Sequence, residues 1–449
     1  MTERRKIFQL FEEQREYTDK KIAQGIESYR KGRARIVITD PNGRPLPGVR
    51  VKAVQKNHEF RFGANLFMLD ELETREKNEK YKAYFSQLFN MATLPFYWDS
   101  VEPERGKKRY AKDSPAMYRR PPIDLCMEFC QKHGIEPREH ALAYDAFFPK
   151  WLQGATVEEV KEQLEARFAE IAQRYADRIR TIEVTNEMEH AKGKTAFYDA
   201  PDFVEWCFKT AEKYFPNNQL AINEQPKPCW EDCCRYTDKY YSYVEAALLK
   251  GARIDAIGMQ YHLFNKRPVE YEKTRLTLNP ENLYRCLDLY AHLGKPLQIT
   301  EVTVPSYSWE PEDEQIQAEI LEKVYSIWFS HPAVEQIVYW NLVDGYAFVD
   351  SSKAQDIALT QGNMTVGENY YHGGLLRFDL SPKPAYYKLK ELIQERWHTE
   401  EQLVSDRNGT CCFTGFYGEY QLEITVENKP ILKEVTLCSK SENRIQVVV

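Results

Sequence analysis

The stretch TIEVTNEMEH, residues 181–190, begins as an alternating apolar strand and ends in Asn186, Glu187, Glu189 and His190. A second carboxylate, Glu301, ends a similar strand, PLQITEV (296–302). Either glutamate alone reads equally well as a solvated loop residue or a partner of a helix N-terminus. Together they suit the hydrolysis of a glycosidic bond. One carboxyl group must be protonated to release the leaving oxygen. The other must be ionised to stabilise or attack an oxocarbenium-like centre. Amides and imidazoles can hold sugar hydroxyls, and an indole face can stack on a pyranose ring.

The elements that must position these groups follow from the pattern around them. Short apolar strands run at FRFGANL, FNMATL (89–94), REHALAY (138–144), RTIEVTN (180–186), QLAINE (219–224), IDAIGMQYH (254–262), PLQITEV and EQIVYWNL (335–342). Amphipathic segments such as TVEEVKEQLEARFAEIAQRYADR (156–178) separate them. Eight strand–helix units in sequence predict an α/β fold, a (β/α)8 TIM barrel. A doubly wound open sheet is the alternative, but FGANLFM lacks the Gly-rich phosphate loop expected after its first strand. Catalytic groups of a parallel barrel sit at the C-terminal ends of its strands. Those ends carry Asn65, His140 with Tyr144 and Asp145, Asn186 with Glu187, Asn223 with Glu224, Gln260 with His262, Glu301, and Trp340 followed by Asp344. They hold no H-E-x-x-H metal motif, no G-x-S-x-G elbow and no Schiff-base lysine, so no metal or cofactor is expected. An aldolase- or isomerase-type barrel would need a Schiff-base lysine or a metal cluster at these ends. A carbohydrate-binding barrel without turnover would lack one carboxylate of the pair, and both are present.

Outside the barrel, residues 1–57 read as a helical arm and a β-hairpin, ARIVITD-PNGRPLPG-VRVKAVQ. Residues 58–397 read as the barrel, and residues 398–449 as short strands packing with the hairpin. The expected product is a small accessory β-sandwich, which either stabilises the chain ends or binds carbohydrate, with the first reading favoured. The net charge of −7 shows no basic stripe, so no nucleic-acid partner is expected. No apolar run approaches a membrane span, and no membrane partner is expected. The first residues have no apolar leader segment, which predicts a cytoplasmic protein with reduced thiols, or a secreted one if a leader was removed. Cys126 and Cys130 have ordinary helix-core spacing. The oligomeric state is not legible.

Residues 60–397 resemble glycoside hydrolase family 10, the retaining β-1,4-xylanase family. EVTNE (183–187) is similar to its acid/base strand, QITEV (298–302) to its nucleophile strand and DAIGMQYH (255–262) to its GIGLQSH strand. YWDSVEPERG (97–106) and LLRFDLSPKPAYY (375–387) resemble two further passages, as does REHALAY with FPKWL. The resemblance implies that Glu187 is the general acid and then base, with a raised pKa, and that Glu301 is the nucleophile. It implies that Asn186 holds the sugar 2-hydroxyl, that His262 hydrogen-bonds Glu301 and keeps it ionised, and that Gln260 and His140 line the same subsite. Trp340 is then the platform. Asn65, Trp98, Tyr144 and Phe348 complete the sugar-contacting set, and His190 is a loop residue on the leaving-group side.

The chain also departs from the family. Thr93, Leu94, Pro95, Phe96, Tyr97 and Trp98 stand where it has ENEMKW. The Glu, Asn and Lys that grip the distal glycone are thus replaced. Tyr144 and Asp145 replace a Trp-His pair, Phe348 replaces the second cleft Trp, and an insertion occupies about 349–370. Hydrogen-bond donors to hydroxyls confer large discrimination. The expected substrate is therefore a shorter or differently decorated β-glycoside, a xylo-oligosaccharide or related plant-type glycan.

Overall fold

A computed structural model of the chain describes residues 3–189, 193–234, 238–349 and 361–449. His190 and residues 350–360 of the insertion lie outside the described residues. The polar arm is helical, its longest helix spanning Arg15–Tyr29. It lies against the helix Pro311–Ser330 so closely that a Cβ on Gly25 would meet the Ser330 carbonyl oxygen at 2.3 Å. Strands β1 (Lys31–Thr39) and β2 (Arg50–His58) follow.

Eight further strands form a closed parallel barrel: β3 (Arg61–Asn65), β4 (Met91–Pro95), β5 (Glu136–His140), β6 (Thr181–Asn186), β7 (Gln219–Glu224), β8 (Ala256–His262), β9 (Leu297–Thr303) and β10 (Val334–Tyr339). They run in chain order, and β10 closes on β3. Every residue of β6 and β9 is buried, as expected of strands covered on both faces. The helices that cover them carry clear start signals. Thr156 and Glu159 form a reciprocal capping box ahead of Val157–Tyr175. Pro311 and three acids open Pro311–Ser330. Asp344, after β10, makes a fully buried ion pair with Lys383 at 2.7 Å and accepts the Gly374 N–H, so it fastens the last loop rather than facing a ligand.

The terminal segments form two sheets. One has the order β12 (Thr410–Phe416), β1, β15 (Arg444–Val448). The other has β11 (Glu400–Val404), β2, β13 (Gly418–Val426), β14 (Lys429–Leu437). The hairpin expected for β1 and β2 is not formed. The two strands sit in different sheets and share a core of Ile36, Ile38, Val51, Ala53, Leu422 and Ile424. Alternating apolar residues are satisfied equally by side-by-side and face-to-face strands, and the intervening loop decides between them. It folds back on β1 through Leu46 N–H to Ile38 O. At Gly48 (φ +74°) it then turns away to Ser405, which accepts the N–H groups of Gly48 and Val49.

Aromatic residues join the sandwich to the barrel. Trp397 stacks on Phe329 at 4.2 Å and on Phe62 at 5.8 Å, and Phe329 meets Phe416 of β12 at 6.0 Å. The buried His58 accepts this setting as a neutral ring: burial lowers its pKa to about 4. Cys233 and Cys286 lie side by side. The turn Asp232–Cys234 and the helix Pro280–Ala291 bring their Cα atoms to 6.2 Å, within bonding range. Among the described residues no helix is long and apolar enough to cross a membrane.

Candidate active site

The C-terminal ends of the barrel strands surround a cleft of about 530 Å³. Asn186, Glu187, His140, Tyr144, Gln260, His262, Glu301, Trp340 and Phe348 all line it. Glu187 follows the last residue of β6 with φ of +53°, a left-handed conformation uncommon outside glycine. Strand β7 holds it there. Its N–H donates to Asn223 O at 3.1 Å, and the following N–H of Met188 donates to Glu224 Oε2 at 2.8 Å. The Glu187 carboxylate accepts from Tyr144 Oη at 2.6 Å, Gln260 Nε2 at 3.0 Å and Gln225 Nε2 at 3.2 Å. Gln260 also donates to Asn186 Oδ1 at 3.3 Å, which fixes the amide next to the carboxylate.

Glu301 lies in β9. It accepts from Asn223 Nδ2 at 3.0 Å, and its other oxygen is 3.2 Å from His262 Nε2. Thr300 orients Asn223 through a 2.7 Å hydrogen bond. Gly258 is required beside it, since a Cβ there would come within 2.5 Å of Asn223 Oδ1. Burial raises the pKa of Glu301 to about 8, with His140 opposing and the charge of Glu187 adding to the rise. Glu301 is buried at the barrel floor, whereas Glu187 is partly exposed at the mouth. Burial lowers the pKa of His262 to about 4, so it meets Glu301 as a neutral ring.

Behind these two carboxylates runs a third. Glu183 makes an ion pair with Arg138 at 2.5 Å and accepts from His140 Nδ1 at 2.9 Å, all three being buried. Burial opposes its ionisation, but Arg138 and His140 hold it below the usual carboxylate range. With Nδ1 turned to Glu183, His140 places Nε2 3.0 Å from the Tyr97 hydroxyl. His140, Glu183 and Glu301 bring three ligand-type atoms together among the described residues. The guanidinium of Arg138 against Glu183 already supplies the positive charge a metal would bring.

Two expected contacts are absent from the cleft. Trp98 is buried against Phe148 and Trp151, with Nε1 donating to Glu102 at 3.0 Å. It opens the short helix Trp98–Val101, whose turn directs Tyr97 and not Trp98 to the mouth. Asn65 is buried at the end of β3, where its carbonyl accepts the Tyr81 hydroxyl at 3.3 Å. Asp145 is likewise turned away from the cleft and caps the N–H and hydroxyl of Thr195. The wall these residues leave is built from Phe67, Tyr97, Phe147 and Trp340, with Arg119 and Arg120 beside them. The sequence signalled Asn223 only as a strand-end amide and Tyr97 only as a replacement. Nothing in the residue pattern marked Gln225 or the two arginines.

Comparison with known proteins agrees with this geometry. The model of glycosyl hydrolase family 10 matches residues 52–391. An anti-sigma-I factor of Acetivibrio thermocellus is 24% identical over 90% of the chain, which spans 46% of that protein's length. Endo-1,4-beta-xylanase B of Thermotoga neapolitana is 26% identical over 75% of the chain and 88% of its own length. Among solved structures, xylanase 10B from Thermotoga petrophila in complex with xylobiose superposes with a TM-score of 0.57. It covers 75% of this chain and 95% of its own at 22% identity, a likeness of fold.

Proposed function

This chain belongs to glycosyl hydrolase family 10, and we propose that it cleaves β-linked xylo-oligosaccharides or a related plant-type glycan by double displacement. The reading is carried by one observation: Glu187 and Glu301 project into a single cleft from the end of β6 and from β9, each held by a side-chain amide of another strand. In the first step a Glu301 oxygen attacks the anomeric carbon and the bond to the leaving oxygen breaks. The Glu187 proton passes to that oxygen. In the second step water attacks the glycosyl-enzyme ester, Glu187 takes its proton and Glu301 is released. Asn186, fixed by Gln260, is placed to hold a hydroxyl of the sugar at the reacting carbon. Trp340, packed edge-on against Phe67 and His140, supplies the ring platform.

The test is turnover of aryl β-xyloside, β-xylobioside and β-cellobioside by the parent protein and by Glu301→Ala and Glu187→Ala. Loss with the first variant, and with the second retention mainly on the best leaving group, supports the mechanism. If the parent protein cleaves none of them, the hydrolase reading of this cleft is abandoned in favour of binding without turnover. The protein is expected to act in the cytoplasm on imported oligosaccharides, an expectation that fractionation of the native host tests.

A further inference from the structure

Arg119 and Arg120 precede the helix Ile123–His133 and reach the cleft from outside the barrel strands. Their guanidinium groups are used differently. Arg119 Nη1 donates to Asn341 Oδ1 at 2.7 Å and to Tyr346 O at 2.6 Å, which ties two loops together. Arg120 is 7% exposed and makes one hydrogen bond among the described residues, from Nη1 to Arg119 O at 3.0 Å. Its Cζ lies 3.8 Å from the centre of the Tyr97 ring, with Phe67 and Phe147 within 5.6 Å. No carboxylate among the described residues pairs with it within 4 Å, although Asp99 feels its charge.

A buried guanidinium stays charged, and a buried charge needs a counter-charge or water. The contact with Tyr97 holds the Arg120 guanidinium in the lining of the cleft. The neighbouring strand end, where Thr93, Leu94 and Tyr97 stand, offers no charge of its own. The positive group of this wall therefore comes from the loop before residue 123. A planar, fixed fork matches a carboxylate with two parallel N–H···O bonds.

We propose that this wall is a subsite for a carboxylate-bearing sugar, a uronosyl residue on the glycone side, gripped by Arg120 between Tyr97 and Phe147. The proposal rests on the reading of the cleft as a glycan site. The test measures binding by calorimetry to the Glu301→Ala protein, which separates recognition from turnover. The ligands are a neutral β-1,4-xylo-oligosaccharide, the same compound bearing a uronic acid, its methyl ester and a sulfated counterpart. The uronate is expected to bind at least about tenfold more tightly than the neutral compound, and the methyl ester to lose that gain. Adding Arg120→Met is expected to cost the uronate at least about tenfold more affinity than it costs the neutral ligand, with Arg120→Lys recovering only part. Equal affinity for uronate, ester and neutral compound overturns the proposal, and does so even if the arginine variants fail to fold. A sulfate that binds as tightly as the uronate overturns the carboxylate fork in favour of plain anion attraction. Turnover by the parent protein is scored separately. A uronate preference without hydrolysis removes the enzyme reading and keeps the subsite, whereas hydrolysis without preference does the reverse.

Discussion

The floor and the wall of the cleft are built on different physics. The floor is a network in which Glu183, Glu187 and Glu301 are each fixed by side chains from other strands or the loops that follow them: Arg138 and His140, Gln260 and Tyr144, Asn223 and His262. The wall is a set of rings, Phe67, Tyr97, Phe147 and Trp340, with two arginines over them. Directional hydrogen bonds hold reacting atoms to tenths of an ångström, which bond-making requires. Rings and a buried charge tolerate varied ligands but distinguish shape and sign. The contrast assigns reaction to the floor and choice of substrate to the wall.

Breaking the floor should have the largest effect. Glu301→Ala is expected to lower kcat/KM by roughly 10⁴-fold or more, measured on an activated aryl glycoside. A loss under tenfold would move the reaction away from this residue. Next comes Glu183→Gln, which leaves Arg138 buried beside a neutral amide. It should destabilise the protein by about 3–5 kcal/mol in urea unfolding. A wall substitution of similar size, Tyr97→Phe, should cost only about 1 kcal/mol, the worth of one hydroxyl bonded to His140. It should change ligand preference more than stability. If Tyr97→Phe proves the more damaging to folding, the division between floor and wall fails.

The pH response sharpens the same division. Glu301 must be ionised to attack, and burial places its pKa near 8, so kcat/KM should climb with pH through neutrality and fall again once Glu187 loses the proton that the leaving oxygen needs. The stability consequence has the opposite sign. The folded state favours the protonated acid, so stability is full below the unfolded pKa of about 4.5 and falls as pH rises towards 8. Glu301→Gln removes that loss. It should match the parent protein near pH 4 and exceed its stability by more than about 1 kcal/mol at pH 9. A stability difference that does not vary with pH would show that Glu301 is not buried as described.

The floor was largely legible in the sequence and the wall was not, for a physical reason. Strand ends are fixed by alternation and by the chain order of the barrel, so Asn186, Glu187, Gln260, His262 and Glu301 could be placed at one mouth from their positions alone. Arg120 comes from an irregular loop with no period to read. Trp98 misled because an indole suggests a sugar platform, whereas one turn of helix swings it into the core and brings Tyr97 forward. The supposed hairpin misled for a related reason. The alternation of β1 and β2 specifies which residues face inward but not whether the partner lies alongside or opposite.

Trp397 stacks on two barrel rings, and one of them, Phe329, also meets a ring of the sandwich. The apparent borders at residues 57 and 397 therefore cut through a shared aromatic cluster and not through a linker. The two lobes should melt together, as one calorimetric transition with equal van't Hoff and calorimetric enthalpies. An excised barrel would present Phe329, Phe62 and Trp397 to water and should precipitate rather than behave as an autonomous unit.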